Sequence, residues 1–183
     1  MSSSYQLSLS RRLHFGLSLS SARLHFMQEL PVTGVVPISD MRGENDEETA
    51  LLRAMSERAQ EFLRSFPWCS TITEFYFGDG IGNVFAVFLA RIQPSRSGVD
   101  EFLWVVVGDI PPAYLVTDAC HTPKEAMEGY IEEMRRWVAA AYKGHTSQDI
   151  IPVNASPTPE SAQLLGKRLD TLEQQILPAW FVD

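Results

Sequence analysis

Between residues 47 and 66 the apolar side chains Leu52, Met55, Ala59, Phe62 and Phe66 recur at spacings of three and four, which places them on one helical face. Asp46, Glu47 and Glu48 fall in the first turn of that helix, where negative charge meets the positive end of the helix dipole. Pro67 marks its end. The period then changes. Residues 72–77, 84–92, 102–107 and 114–117 are rich in β-branched and aromatic side chains and are separated by Gly-, Pro- and Asp-containing breaks, the pattern of four strands. The breaks are too short for a crossover, so the strands are expected to form an antiparallel meander. The run from Gly78 to Asn83 reads as the first hairpin turn, with Asp79-Gly80 as its signal.

Two further helices announce themselves by their starts. Thr122, Pro123 and Glu125 form a capping box with proline in the first helical position, ahead of a stripe through Met127, Tyr130 or Ile131, Met134, Trp137 or Val138 and Ala141. Lys143 and Gly144 close it. Thr158, Pro159 and Ser161 repeat the logic, ahead of Leu165, Leu169, Leu172 and Ile176, with Pro178 as the expected stop. The tail from Ala179 to Val182 is expected to dock on the body, because an exposed Trp-Phe pair would be adhesive. Residues 28–45 read as a lead-in loop. The fold expected is therefore α+β, a four-stranded, mainly antiparallel sheet with three helices in the order α-β-β-β-β-α-α.

Two of the strands carry more information than the others. VFAVFL (residues 84–89) and FLWVVV (residues 102–107) are apolar at odd and even positions alike. A strand with one wet side should alternate, so both faces of this sheet should be covered. Three helices could divide between the faces, or cover one and leave the other to a partner.

The first 26 residues stand apart. LSLSRRLHF (residues 7–15) and LSLSSARLHF (residues 17–26) are a near-tandem duplication whose apolar residues alternate instead of following a helical period. We read residues 1–26 as a low-complexity extension outside the native protein, with Met27 as the start and residues 27–183 as one globular α+β domain; a targeting leader is the rival. His14 and His25 belong to the duplication and are not read as metal ligands.

Charge changes the functional picture. The net charge is -8, and because residues 1–26 carry +3 through Arg11, Arg12 and Arg23, the remainder carries -11. With three lysines in the whole chain and no basic stripe, nucleic-acid binding is disfavoured. An acidic surface suits a basic protein partner. No apolar run approaches the roughly 20 residues that span a bilayer, so no membrane partner is expected. The two cysteines, Cys69 and Cys120, are too few for a disulfide framework, which favours a reducing, cytoplasmic location.

Candidate chemistry is sparse. The glycine run at 78–83 lacks the lysine or the following helix that a nucleotide loop needs. Cys120, just ahead of a helix N-terminus and followed by His121, is the first candidate nucleophile, since helix amides lower a thiol pKa and a nearby imidazole can act as base. Neighbouring residues in extended chain point apart, however, and the bland reading is a small and a polar residue ahead of a cap. Asp109 and Asp118, with Asp79 and Asp100, flank strands or turns and could pair as general acid and base, although turns select aspartate for local hydrogen bonding. Glu125, Glu128, Glu132 and Glu133 lack the Glu-x-x-His spacing of a di-iron helix; Glu132 and Arg136 read as a surface pair. No metal or cofactor is expected.

The functional expectation is a small acidic cytoplasmic protein-binding or adaptor protein, which recognises a protein partner or self-associates and for which an immunity- or antitoxin-like role fits. The alternative is a small thiol- or carboxylate-dependent enzyme with Cys120 as nucleophile.

Overall fold

The computed structural model describes residues 30–145 and 150–180. The duplicated extension and the tail residues Phe181 and Val182 lie outside them. The elements run β1 (Val36–Pro37), a 3-10 turn (Ile38–Asp40), α1 (Asp46–Arg64), β2 (Cys69–Ile81), β3 (Phe85–Pro94), β4 (Phe102–Gly108), β5 (Ala113–Val116), α2 (Pro123–Ala141) and α3 (Pro159–Thr171). A π-helical stretch, Leu172–Ile176, and a last turn, Leu177–Trp180, continue α3.

The strands form one antiparallel sheet in sequence order, β1 to β5. The α+β class and the meander are as expected, but there are five strands, not four. The extra one is β1, two residues within the expected lead-in loop, where Val36 and Pro37 lie opposite Phe77 and Tyr76. So short a strand carries no periodicity of its own.

The two-sided apolar strands are buried on both faces by the chain's own helices. Phe88, Ala90, Ile92, Leu103 and Val105 face α1, which contributes Leu52, Met55, Ala59 and Leu63. Phe85, Val87, Leu89, Trp104 and Val106 face the other way, onto α2. The third helix packs along α2 through Ala162, Leu165 and Leu169. Burial of each large side chain contributes about 1.5–3 kcal/mol. Because this core seals both faces, the sheet does not need a partner to cover it.

The helix starts are capped. Asn45 Oδ1 accepts the Glu48 N–H (2.9 Å), Thr122 Oγ1 the Glu125 N–H (3.2 Å) and Thr158 Oγ1 the Ser161 N–H (3.2 Å). The Glu125 carboxylate completes its box one residue early, on the His121 N–H (2.6 Å).

Two turn signals resolve differently from the expectation. Gly78, Asp79 and Gly80 are not the hairpin turn; β2 runs through them to Ile81, and the turn is Gly82-Asn83-Val84, with Asn83 at φ 62° and Val84 N–H on Ile81 O. The glycines serve close approach. A Cβ on Gly78 would lie 2.9 Å from Pro123 Cγ, and one on Gly80 would lie 2.7 Å from Phe85 O. Nor does Pro178 stop the third helix. The proline ring would collide with the carbonyl of Gln174 in a regular α-helix, and the wider π turn just before it lets the chain continue to Trp180.

Bulges shape β2. Its register against β3 shifts between Cys69 and Thr71, Ile72 and Glu74, and Phe77 and Asp79. Each extra residue turns the following side chains to the opposite face. Glu74 thereby lies opposite Arg91, and Asp79 opposite Val87, on the side that carries α2.

Candidate functional site

The candidate nucleophile sits in an unreactive place. Cys120 is buried in the α2-side core, its Sγ 3.2 Å from where a Cβ on Gly129 would lie, and its carbonyl accepts the Trp104 Nε1–H (2.8 Å). Burial, followed by the charges of Glu125 and Glu128, pushes its thiol pKa up, whereas an activated thiol needs the opposite shift. Cys120 is therefore expected to react with iodoacetamide at pH 7 at least tenfold more slowly in the native chain than in the unfolded one, because the thiolate is the nucleophile. Fast native labelling at pH 6, followed by mass spectrometry, would reinstate the thiol chemistry.

The other candidates are dispersed. His121 is exposed, with Nδ1 3.7 Å from Glu125 Oε2. Asp118 is exposed in the turn before α2, while Asp109 is exposed at the β4–β5 turn, 3.4 Å from Arg168. Among the described residues no hydrogen bond or ion pair joins any two of Cys120, His121, Asp109 and Asp118 through their side chains. None of the described residues form a group of three or more His, Cys, Asp or Glu able to hold a metal.

Polar side chains converge in places that the sequence did not single out. Above the far end of the α2-side sheet face, Arg91 donates from Nε to Glu101 (2.6 Å) and from Nη1 to Glu74 (3.0 Å), with its guanidinium 5.4 Å from the Phe102 ring centroid. Tyr76 donates to the other Glu74 oxygen (2.6 Å), and burial together with that carboxylate pushes its pKa up to about 12. Tyr76 is thus no base near neutral pH. The cluster ties three strands together, and only the bulge at Thr73 lets Glu74 take part.

A second feature is a cleft of about 500 Å3 between α2 and the C-terminal segment. Lys124, Glu128, Ile131, Glu132 and Arg135 line it from α2, one side of the helix at spacings of three and four; Glu173, Leu177 and Pro178 form its other wall. Arg135 is held by Asp170 (2.7 Å) and Glu173 (2.8 Å), so its charge is already matched. With Glu128 and Glu132 exposed four apart on α2, the lining holds three acids (Glu128, Glu132 and Glu173) against two bases (Lys124 and Arg135), a small acidic excess. Arg136, on the same helix, meets Glu133 (2.7 Å).

No family model, curated protein or solved structure matches this chain. The functional reading therefore stands on the site alone.

A smaller cleft, about 310 Å3, lies on the other side of the same segment, where Asp109 and Ile110 face Lys167, Arg168, Leu172 and Ile176. One stretch of chain thus walls both clefts. Sequence reasoning placed its apolar residues on a helix, but no local signal marked Arg135, Glu173 and Leu177 as neighbours across a groove. Among the described residues no helix is long and apolar enough to cross a membrane.

Proposed function

We propose that this protein is a binding module for a positively charged protein partner, docked on α2 and the cleft beside it. The observation that carries this reading is the cleft itself, where apolar Ile131, Leu177 and Pro178 lie among three acids, Glu128, Glu132 and Glu173, against two bases, Lys124 and Arg135, of which Arg135 is already matched by Asp170 and Glu173. Apolar floors with polar rims are how protein interfaces are built, and acidic rims steer basic partners and set specificity. The chain's negative charge favours the same class of partner. Neutralisation of a basic target, in an immunity- or antitoxin-like role, is one biological form this would take.

The test is charge reversal at the site against charge reversal elsewhere. A partner captured by the native chain should bind Glu128→Lys/Glu132→Lys at least tenfold more weakly at low salt. Glu57→Lys/Glu61→Lys, on α1 across the sheet, should bind it with little change. Equal binding to both variants would remove the cleft as the docking site.

A further inference from the structure

We infer that the C-terminal segment Leu172–Trp180 is a latch, fastened by Trp180 to Asp79, that completes the α2 cleft and opens without unfolding the sheet. Its purpose rests on the binding reading above; its existence does not.

The fastening is specific. Trp180 Nε1 donates to Asp79 Oδ1 at 2.8 Å across 101 positions of chain, and the same oxygen accepts the Gly80 N–H at 2.8 Å, which holds the carboxylate in place. Asp79 faces Trp180 only because of the bulge. Without the extra residue at Gly78, Asp79 would stand opposite Ala86 and face α1; the register shift sets it opposite Val87 on the α2 side. Bulges that re-aim a side chain recur beside functional sites, and this one places the acceptor that the Trp180 indole finds among the described residues.

The rest of the attachment is shallow. Leu172, at the base of the segment, is buried in the core and anchors it, but from Glu173 to Trp180 no side chain is fully buried; Ile176, Leu177 and Trp180 are half-buried against the core, and Glu173 is held from α2 by Arg135. Segments with few buried contacts open at low free-energy cost while the core stays closed. The π-helical stretch lies at the start of this segment, where hydrogen bonding departs from the regular helical pattern. Opening the latch would withdraw Leu177 and Pro178, and with them one wall of the cleft.

Hydrogen exchange of the full chain, read by mass spectrometry, tests this without any ligand. Trp180→Phe keeps the ring and removes the N–H; Asp79→Ala removes the acceptor; Asp79→Asn keeps a carbonyl oxygen. In the first two variants exchange across residues 172–180 should rise about tenfold or more, the scale of one lost hydrogen bond to a charged group. Exchange in β3 and β4 should stay unchanged, and Asp79→Asn should lie nearer the native chain. Unchanged exchange in residues 172–180 would overturn the latch, as would an equal rise throughout the protein. A nona-lysine peptide then reads the cleft, and Trp180→Phe should weaken its binding several-fold. Unaltered peptide affinity in a variant with a loosened segment would overturn the cleft-completing role. If the peptide fails to bind even the native chain, the binding reading falls, and the latch is still decided by exchange.

Discussion

Replacing Trp104 with Ala is expected to lower the free energy of unfolding by about 4 kcal/mol, the scale of a large aromatic deleted from a packed core. Trp104 is fully buried in β4, opposite Leu89 and Leu115 on its two neighbouring strands, and faces the core beneath α2. It also donates to the Cys120 carbonyl just ahead of α2. The substitution therefore opens a cavity and leaves a carbonyl without its partner. Trp104→Phe separates the two effects, because most of the volume remains while the donor goes; it should cost about 1–3 kcal/mol, with the orphaned carbonyl as the larger share. Urea unfolding followed by far-ultraviolet circular dichroism measures both. A domain stable by about 5–15 kcal/mol would lose a large fraction of its margin to the Ala variant. A loss under about 1 kcal/mol for Trp104→Ala would mean that the sheet–α2 core is not packed as described.

Adding one methyl group at Gly108 should be nearly as damaging. Gly108 ends β4 opposite Phe85, and a Cβ there would fall on the Val84 carbonyl oxygen and lie 2.8 Å from Phe85 Cα. Both obstacles are backbone, so β3 or β4 must move, and Gly108→Ala is expected to cost about 3 kcal/mol, the upper part of the overpacking range. Gly166 is the internal control. It lies inside α3, where an added Cβ would meet only Val138 Cγ1 at 3.8 Å, an ordinary contact. Gly166→Ala should stabilise the protein by about 0.5–1 kcal/mol through helix propensity. Thermal unfolding of the two variants should move in opposite directions. A shared direction would refute the strand packing at Gly108 or the helix packing at Gly166.

These effects show where sequence reasoning reached and where it stopped. The stripe from Leu52 to Ala59, the caps at Thr122 and Thr158, and the two-sided strands around Phe88 and Val105 were all legible. Each is written within a few residues of itself, and the requirement that both sheet faces be covered followed from side-chain alternation alone. The glycines at 78 and 80 were misread as a turn because Asp-Gly between apolar runs looks the same in a hairpin and in a bulged strand. What decides between them is the approach of Pro123 from far along the chain to Gly78 and the close pairing of Gly80 with Phe85 and Ala86 on the next strand. Cys120 drew attention through its place ahead of a helix, yet its chemistry depends on burial against Gly129. The cleft had no sequence signature, since Arg135 meets Asp170 and Glu173 only after α2 and α3 have packed.

The sequence by itself determined the class of fold, the helices and their caps, the central strands and the need to bury both sides of the sheet, because periodicity and capping act over a few residues. Tertiary structure alone decided the fifth strand, the register shifts that turn Glu74 and Asp79 toward α2, and the groove shared by α2 and the C-terminal segment. Those features depend on which distant residues come to lie opposite one another. A single extra residue in a strand reverses every side chain after it, and nothing local to Gly78 announces that reversal.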